Sequence, residues 1–528
     1  MPVASMQHLL LLALLTAPLA SQRPNFLIAI SDDQSYPYAS AYGCSGISTP
    51  AFDRVAQAGV LFTQAFTPAP GCSPMRAAFL TGRHIWQIEH AGTHASSFHK
   101  KYETFQERLE DGGYFVGYTG KGWAPGNVRA GGRDRNPAGP AFQKRKMKSP
   151  AGIRNTDYAA NFADFLSQRA DDQPFSFWFG ASEPHRQFKK GIGLENGLKL
   201  ADALVPSFLP DTPEVRSDIL DYCYEIQWFD QHLGRMLDLL KQRGELDNTV
   251  VIVTSDNGMA FPRAKANVFE YGIHMPLAIS WPNKVPGSRK VTDLVDLLDV
   301  TATIYASAGV TPPDAYPLAG RSLLAMLRSN KQGWIEPERD AVFSGRERHS
   351  SSRFNSLGYP QRCIRTARHL LIRNFRPERW PAGTPSKLNR QGRPGPAHGG
   401  YHDIDSCPTL SFLIKNRDDE RLGKYLTLAT AKRPAVELYD ILEDPGCLHN
   451  LANDPTHAQH AKHLDQRLRA YLSQTKDPRV TAADTGDVFE TYPRYSSIRW
   501  FAPPPWATKN PDRVPKQAWL DKKRPRKK

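Results

Sequence analysis

Four apolar, β-prone runs, each stopping directly before a polar cluster, constrain the fold of this chain more than any other feature. They are Asn25 to Ile30 before Asp32 and Asp33, Tyr114 to Tyr118 before Lys121, Phe175 to Phe179 before Glu183, Pro184 and His185, and Thr249 to Val253 before Asp256 and Asn257. Continuous apolar runs mark strands buried on both faces, which belong to a mainly parallel sheet covered by helices. Ligands bind such sheets beyond the carboxyl ends of the strands. The four polar clusters, spread from position 32 to position 257, are therefore expected on one rim.

The segments between these runs carry helical periodicity. From Glu214 to Arg243, Ile219, Cys223, Ile226, Leu233, Leu237 and Leu240 keep the three-and-four spacing of one helix face, with Gly244 as the cap. Asp53 to Ala58 and Phe105 to Leu109 read as shorter helices. The Gly, Pro, Arg and Lys between Arg129 and Pro150 describe a long surface insertion. After about residue 335 the alternation fades: Arg362 to Asn374 and Ala435 to Asp440 read as antiparallel strands, with a helix from His457 to Thr475 packed on them. At 528 residues the chain exceeds one core. The expected fold is α/β, a large mainly parallel sheet sandwiched by helices (21–335), then a smaller α+β unit with a short antiparallel sheet (336–476). A Pro- and aromatic-rich wrap with a basic tail (477–528) follows.

Residues 1–20 read as a signal peptide: the Leu9 to Leu15 run is an h-region and Ala17-Pro18-Leu19-Ala20 a cleavage site. The run is too short for a transmembrane anchor. The mature chain is expected to be exported to a periplasmic, secreted or lysosome-like compartment, which disfavours nucleic acid as the partner of its +15 formal charge. Six cysteines without C-x-x-C spacing argue against zinc or redox motifs. With Cys72 committed to chemistry, at most two disulfides are expected, with Cys363, Cys407 and Cys447 as candidates for pairing and Cys223 as a buried free thiol.

Gly71-Cys72-Ser73-Pro74-Met75-Arg76, closed by Thr81-Gly82-Arg83, places a thiol, a helix start and two guanidinium groups in one short turn. Pro74 suits the first turn of a helix, so Cys72 lies at a helix N-terminus, where free N–H groups face an anion. Asp32, Asp33, Asp256 and Asn257 supply hard oxygen ligands suited to Ca²⁺ or Mg²⁺ rather than zinc. With Arg76, Lys121, His185 and Lys265 around that ion, the rim would bind an anionic ester and stabilise charge on its oxygens.

These residues resemble the sulfatases of the alkaline phosphatase superfamily, whose C-x-P-x-R and T-G-R signature stands here as Cys72-Ser73-Pro74-Met75-Arg76 and Thr81-Gly82-Arg83. The likeness extends to Gly120-Lys121, Ser255 to Gly258, Glu437 to Asp440 and Asn450-Leu451-Ala452. Pro184-His185-Arg186, Val205 to Pro213 and Phe261-Pro262 tilt it towards the N-sulfoglucosamine sulfohydrolase branch. The resemblance implies an alkaline phosphatase-like fold and a sulfated glycan or amino sugar as substrate. It also implies oxidation of Cys72 to formylglycine by a maturation enzyme. The aldehyde hydrate would attack sulfur, the alcohol or amine would leave, and the second hydroxyl would expel sulfate. Calcium would sit on Asp32, Asp33, Asp256, Asn257 and residue 72. Arg76 and Lys121 would hold the nucleophile ionised, His185 would protonate the leaving group, and Lys265 would contact sulfate oxygens. His94 and Arg186 are expected to face the substrate.

Two positions depart from the family pattern. Met75 replaces the usual Ser, and Trp123 stands where many members carry a His that assists sulfate release; an indole cannot act as a base. His84, His90, His94 and His99 are the substitutes in reach, with His94 preferred. Two other readings stay open: a phosphomonoester, phosphonate or phosphodiester hydrolase of the same superfamily, and a sulfated-glycan binding protein with impaired turnover.

Overall fold

The computed structural model describes residues 23–523 apart from positions 316, 484 and 485, so the expected signal peptide and the last five residues of the basic tail lie outside it. Eight strands form the main sheet: β1 (Asn25–Ser31), β2 (Gly59–Phe66), β3 (Phe115–Gly120), β4 (Phe175–Gly180), β5 (Thr249–Ser255), β6 (His274–Ser280), β7 (Arg289–Val291) and β8 (Val295–Asp296). Their order is β3-β4-β1-β5-β6-β2-β7, with β8 also on β2. The four strands legible as apolar runs are mutually parallel neighbours, whereas β6 runs antiparallel between β5 and β2.

Successive side chains of a strand face opposite sides, and β1 divides its residues accordingly. Phe26, Ile28 and Ile30 join Met75, Phe79, Phe105 and Ile304 on one face, beneath the helices Cys72–Thr81, Phe105–Asp111 and Leu297–Ala308. Leu27 and Ala29 join Phe52, Phe162, Phe229 and Leu233 on the other, beneath Pro50–Ala58, Tyr158–Gln168 and the thirty-residue helix Pro213–Gln242. Each large apolar side chain buried in these layers contributes about 1.5–3 kcal/mol. The rigid sheet fixes the rim on which the polar clusters sit.

A second, antiparallel sheet follows, β9 (Ala341–Arg346), β10 (Gln361–Thr366), β11 (His369–Asn374) and β12 (Val436–Asp440), in the order β12-β11-β10-β9. One face takes the helix Ala458–Gln474 through Leu464, Leu468 and Leu472 against Ile364, Leu371 and Leu438. The other packs Cys363, Ile372 and Tyr439 on Val268, Phe269 and Ile273, so it braces the loop that carries Lys265. The buried pair Arg365–Glu270, Nε to carboxylate 2.8 Å, ties the two sheets together. Beyond residue 477, short helices and loops wrap back: Arg348 donates to the Tyr492 and Pro493 carbonyls, and the Tyr495 N–H to Ala95.

The expected disulfides are absent. All six cysteines are free and buried. Cys363 and Cys447 share one apolar cluster without bonding, while Cys407 caps the helix Pro408–Lys415 by accepting the Leu410 N–H at 3.3 Å. The sulfurs act as small apolar packing groups. Among the described residues no helix is long and apolar enough to cross a membrane.

Candidate active site

Parallel pairing of β1 with β5 places Ser31 beside Ser255, so the two acidic pairs that follow emerge together. The Asp33 N–H, in a left-handed turn at φ 78°, donates to Asp256 Oδ1 at 3.1 Å, and Asp256 N donates back to the Ser31 carbonyl at 3.2 Å. Parallel pairing of β3 with β4 brings Gly120 beside Gly180 and delivers Lys121 to the same rim. Gly180 has to be glycine: a Cβ there would lie 1.9 Å from the Lys121 carbonyl and 2.8 Å from Arg76 Nη1. Asp32 N donates to the Glu183 carbonyl at 3.0 Å and so fixes the turn that presents His185.

Cys72 opens the fully buried helix Cys72–Thr81 after extended Gly71, and Gly82, at φ 67°, closes it with its N–H on the Ala78 carbonyl. The thiol lies 3.4 Å from Asp32 Oδ1 and 3.8 Å from Asp33 Oδ1. One ligand atom each from Asp32, Asp33, Cys72 and Asp256 falls within 4.8 Å of the others. Asn257 Nδ2 donates to Asp33 Oδ1 at 2.7 Å, which turns Asn257 Oδ1 inward, buried and without a partner among the described residues. Three cations face the three carboxylates: Arg76 Nε on Asp256 at 2.8 Å, Lys121 Nζ on Asp32 at 2.5 Å and Lys265 Nζ on Asp33 at 2.6 Å. Arg76 Nη2 is likewise buried and unpartnered.

These juxtapositions set the charges. Burial pushes the Asp32 carboxyl up, but Lys121, His185 and Arg76 outweigh it and hold it well below the carboxylate range. Burial and Asp32 raise Asp256 to about 6. The Cys72 thiol is pushed well above its ordinary value by burial and then by Asp32, so it is a neutral S–H and a poor nucleophile. Burial would lower Lys121 and Lys265, yet their carboxylate partners raise both, so they stay charged.

The rim therefore gathers Asp32, Asp33, Cys72, Arg76, Lys121, His185, Asp256, Asn257 and Lys265. His185 puts a ring nitrogen within 4.8 Å of Asp32 and Cys72 ligand atoms. Its Nδ1 lies 2.6 Å from the Arg186 carbonyl, which only accepts, so Nδ1 carries a proton. Arg186 turns away from the cluster. Its guanidinium is closed in a buried bidentate pair with Asp218 at 2.8 and 2.9 Å, Nε on the Ala260 carbonyl, between the rings of Phe188 and Phe261. That makes it a support for the loop it occupies rather than a group facing the cluster.

Trp123 is buried under the signature helix, its Nε1–H on the Ser73 carbonyl at 3.0 Å and its ring 5.4 Å from Phe98. Of the four histidines named as substitutes, His84 bonds Tyr471 at 2.6 Å and His90 bonds Ser97 at 2.8 Å. His90 also packs against His99, ring centroids 4.5 Å apart. His94 is partly buried beside His349, ring centroids 4.5 Å apart, and its Nδ1 has no partner among the described residues. His349 escaped the sequence reading; its Nδ1 would lie 3.2 Å from a Cβ on Gly71, so glycine makes room for it next to Cys72. Arg494 Nη1 donates to the carbonyls of both His349 (2.9 Å) and His94 (3.4 Å). Burial keeps both rings neutral, His349 at about 3. Asp405 was also missed: it bonds Lys265 at 2.9 Å and shares a 4.8 Å cluster with Asp33 and His185. Neither residue belongs to a local motif; the second sheet and its loops bring them in.

Known proteins resemble this chain over most of its length. Residues 24–310 match the sulfatase family model, and residues 263–381 match a model described as N-sulphoglucosamine sulphohydrolase, C-terminal. The chain is 30% identical to human N-sulphoglucosamine sulphohydrolase over 508 residues, covering 89% of this chain and 94% of that protein. It is 24% identical over 492 residues to an ulvan-active sulfatase of Formosa agariphila, covering 86% and 76%. Two solved structures share the fold. One, described as a complex with its substrate D-glucosamine-2-N,6-O-disulfate, has a TM-score of 0.60 at 20% identity, covering 86% of this chain and 98% of that one. A putative sulfatase of Bacteroides fragilis has a TM-score of 0.61 at 18% identity, covering 88% and 98%. Fold, rim and both family models lead to one conclusion: this chain belongs to the sulfatase family, hydrolases of sulfate esters and sulfamates.

Proposed function

We propose that this protein is a calcium- and formylglycine-dependent sulfatase that removes sulfate from a sulfated amino sugar, from nitrogen as a sulfamate or from oxygen as an ester. The observation that carries the reading is the buried cluster of carboxylate and amide oxygens around Cys72, faced by Arg76, Lys121 and Lys265. The donor set fits a hard divalent cation: Asp32, Asp33 and Asp256 offer oxygens, and the buried Asn257 Oδ1 lacks any other partner among the described residues. Those four residues would hold the ion, which supplies positive charge to the sulfate oxygens. A protonated thiol suits neither a calcium ligand nor a nucleophile, whereas formylglycine at position 72, made by a maturation enzyme on the exported chain, supplies an oxygen for both tasks.

The chain's own side chains do the rest. Arg76 and Lys121 keep negative charge favourable beside residue 72, and Lys265, held by Asp33 and Asp405, faces the sulfate oxygens. With Nδ1–H fixed on the Arg186 carbonyl, the imidazolium form of His185 carries its second proton on Nε2 and can give that proton to the departing amine or hydroxyl. His94 and His349, neutral and paired beside Gly71, are the proton acceptors that stand in for the histidine missing at Trp123. The lean towards a glucosamine sulfamate rests on the likeness to human N-sulphoglucosamine sulphohydrolase over 89% of this chain.

The test is a substrate panel of glucosamine N-sulfate, glucosamine 6-O-sulfate and glucosamine 6-phosphate with protein matured in the cell. Sulfate release that a chelator abolishes and calcium restores is the expected result. Faster turnover of the phosphate, or release indifferent to calcium, would overturn the assignment.

A further inference from the structure

The inner face of the second sheet buries more positive charge than its carboxylates balance. Four guanidiniums meet there, Arg263, Arg346, Arg353 and Arg433, at 5%, 4%, 3% and 8% exposure. Asp403 accepts from Arg346 and Arg353. Glu437 is taken up by Asn374 Nδ2 and the Tyr439 hydroxyl rather than by an arginine. Arg263 and Arg433 cover the Phe269 ring at 4.0 and 4.3 Å, and neither has a carboxylate in salt-bridge range among the described residues. Four cations against two carboxylates leave the cluster two charges in excess. An uncompensated buried charge is among the costliest groups a fold can carry.

The hydrogen-bond inventory points the same way. Arg433 Nη1 and Nη2, Arg346 Nε and Nη1, Arg263 Nε and the Tyr359 hydroxyl are all buried and meet no acceptor among the described residues. They lie close together. Arg346 sits 5.5 Å and Arg353 5.6 Å from the centre of the Tyr359 ring. The charges of Arg433, Arg346 and Arg353 all act on the Tyr359 hydroxyl, Arg433 most strongly of the three, and Arg433 also acts on Arg346. Donors in such excess, with no acceptor, describe a receptor for an anion.

We propose that Arg346, Arg433 and the Tyr359 hydroxyl bind a small inorganic anion, a halide or a tetrahedral oxyanion, between the second sheet and the loop that carries Arg263 and Lys265. The anion site uses other residues than the cluster around Cys72, although Arg346 also borders a small cavity lined by Gly71, His94 and His349, and it does not depend on the function assigned to that cluster. Two carboxylates link the two places: Asp403 closes on Arg346 and Arg353, and Asp405, two residues on, closes on Lys265. The bound anion thereby steadies the loop that holds Lys265 in register.

The full chain is unfolded with denaturant in chloride, in sulfate and in gluconate at equal ionic strength, and crystals are soaked in bromide or selenate. Expected are a saturable rise in the unfolding midpoint with chloride or sulfate over gluconate, and an anomalous peak within hydrogen-bond distance of Arg433 and Arg346. Peaks from both probes assign an oxyanion-tolerant site, and a peak from bromide alone assigns a halide site. Arg433→Gln should be at least as stable as the parent in gluconate and require at least tenfold more anion for the same rise. Tyr359→Phe, which keeps the charge, should weaken the response less. Sulfate held at the active site is unaffected by Arg433→Gln, so a rise surviving that variant unchanged overturns the proposal, as does the absence of any anomalous peak beside Arg433.

Discussion

Replacing Trp123 by the histidine found in many sulfatases should weaken this protein rather than repair it. The indole is 2% exposed, closes its N–H on the Ser73 carbonyl at 3.0 Å, and packs against Phe98 and the backbone of Gly126, where a Cβ would come within 2.2 Å of the ring. Truncating a buried Trp to Ala costs about 3–5 kcal/mol. An imidazole refills part of that space but gives up contact and a hydrogen bond worth about 1 kcal/mol. The net loss for Trp123→His is therefore about 2–4 kcal/mol, and the loosened Ser73 turn displaces residue 72. Denaturant unfolding followed by circular dichroism, beside steady-state sulfate release, reads both effects. The expected result is a lower midpoint and slower turnover. A variant with an unshifted midpoint and faster turnover would refute the reasoning, because position 123 would then serve chemistry directly.

Arg186→Ala should cost about 3–5 kcal/mol, since it strands the buried Asp218 carboxylate, and adding Asp218→Asn should return part of the loss. An unchanged denaturation midpoint with a raised KM would place Arg186 on the substrate instead. Burial pushes Glu270 up, but Arg365 and His274 hold it at about 2, below its ordinary 4.5. A folded-state value lowered in this way stabilises above pH 4.5 and is lost as pH falls towards 2, a contribution of about 3 kcal/mol at neutral pH. Glu270→Gln should therefore unfold more readily than the parent at pH 7, with the gap closing as pH drops through that window. A gap independent of pH would contradict the pairing.

Strands β1, β3, β4 and β5 were legible because each is a continuous apolar run, and the rim followed from their shared direction. Strands β2 and β6 were not. The first carries exposed-type residues Thr63 and Gln64 at an irregular register between Phe62 and Ala65, and the second starts with His274 and contains Pro276. Both hide their pattern in an antiparallel pairing that no local signal announces. The same division runs through the site. Cys72, Arg76 and the acidic pairs sit in short motifs beside strand ends, whereas Asp405 reaches Lys265 across 140 residues of sequence and His349 reaches Gly71 from the second sheet. The cysteines misled because spacing carries no geometry: Cys363 and Cys447 pack in one cluster as thiols.

The most direct test of the central claim is the mass of the peptide containing residue 72, taken from protein purified in active form. Oxidation of Cys72 to the aldehyde, with activity proportional to the converted fraction and lost in Cys72→Ala, is the predicted result. Full sulfate release from protein whose residue 72 is an intact thiol would contradict it.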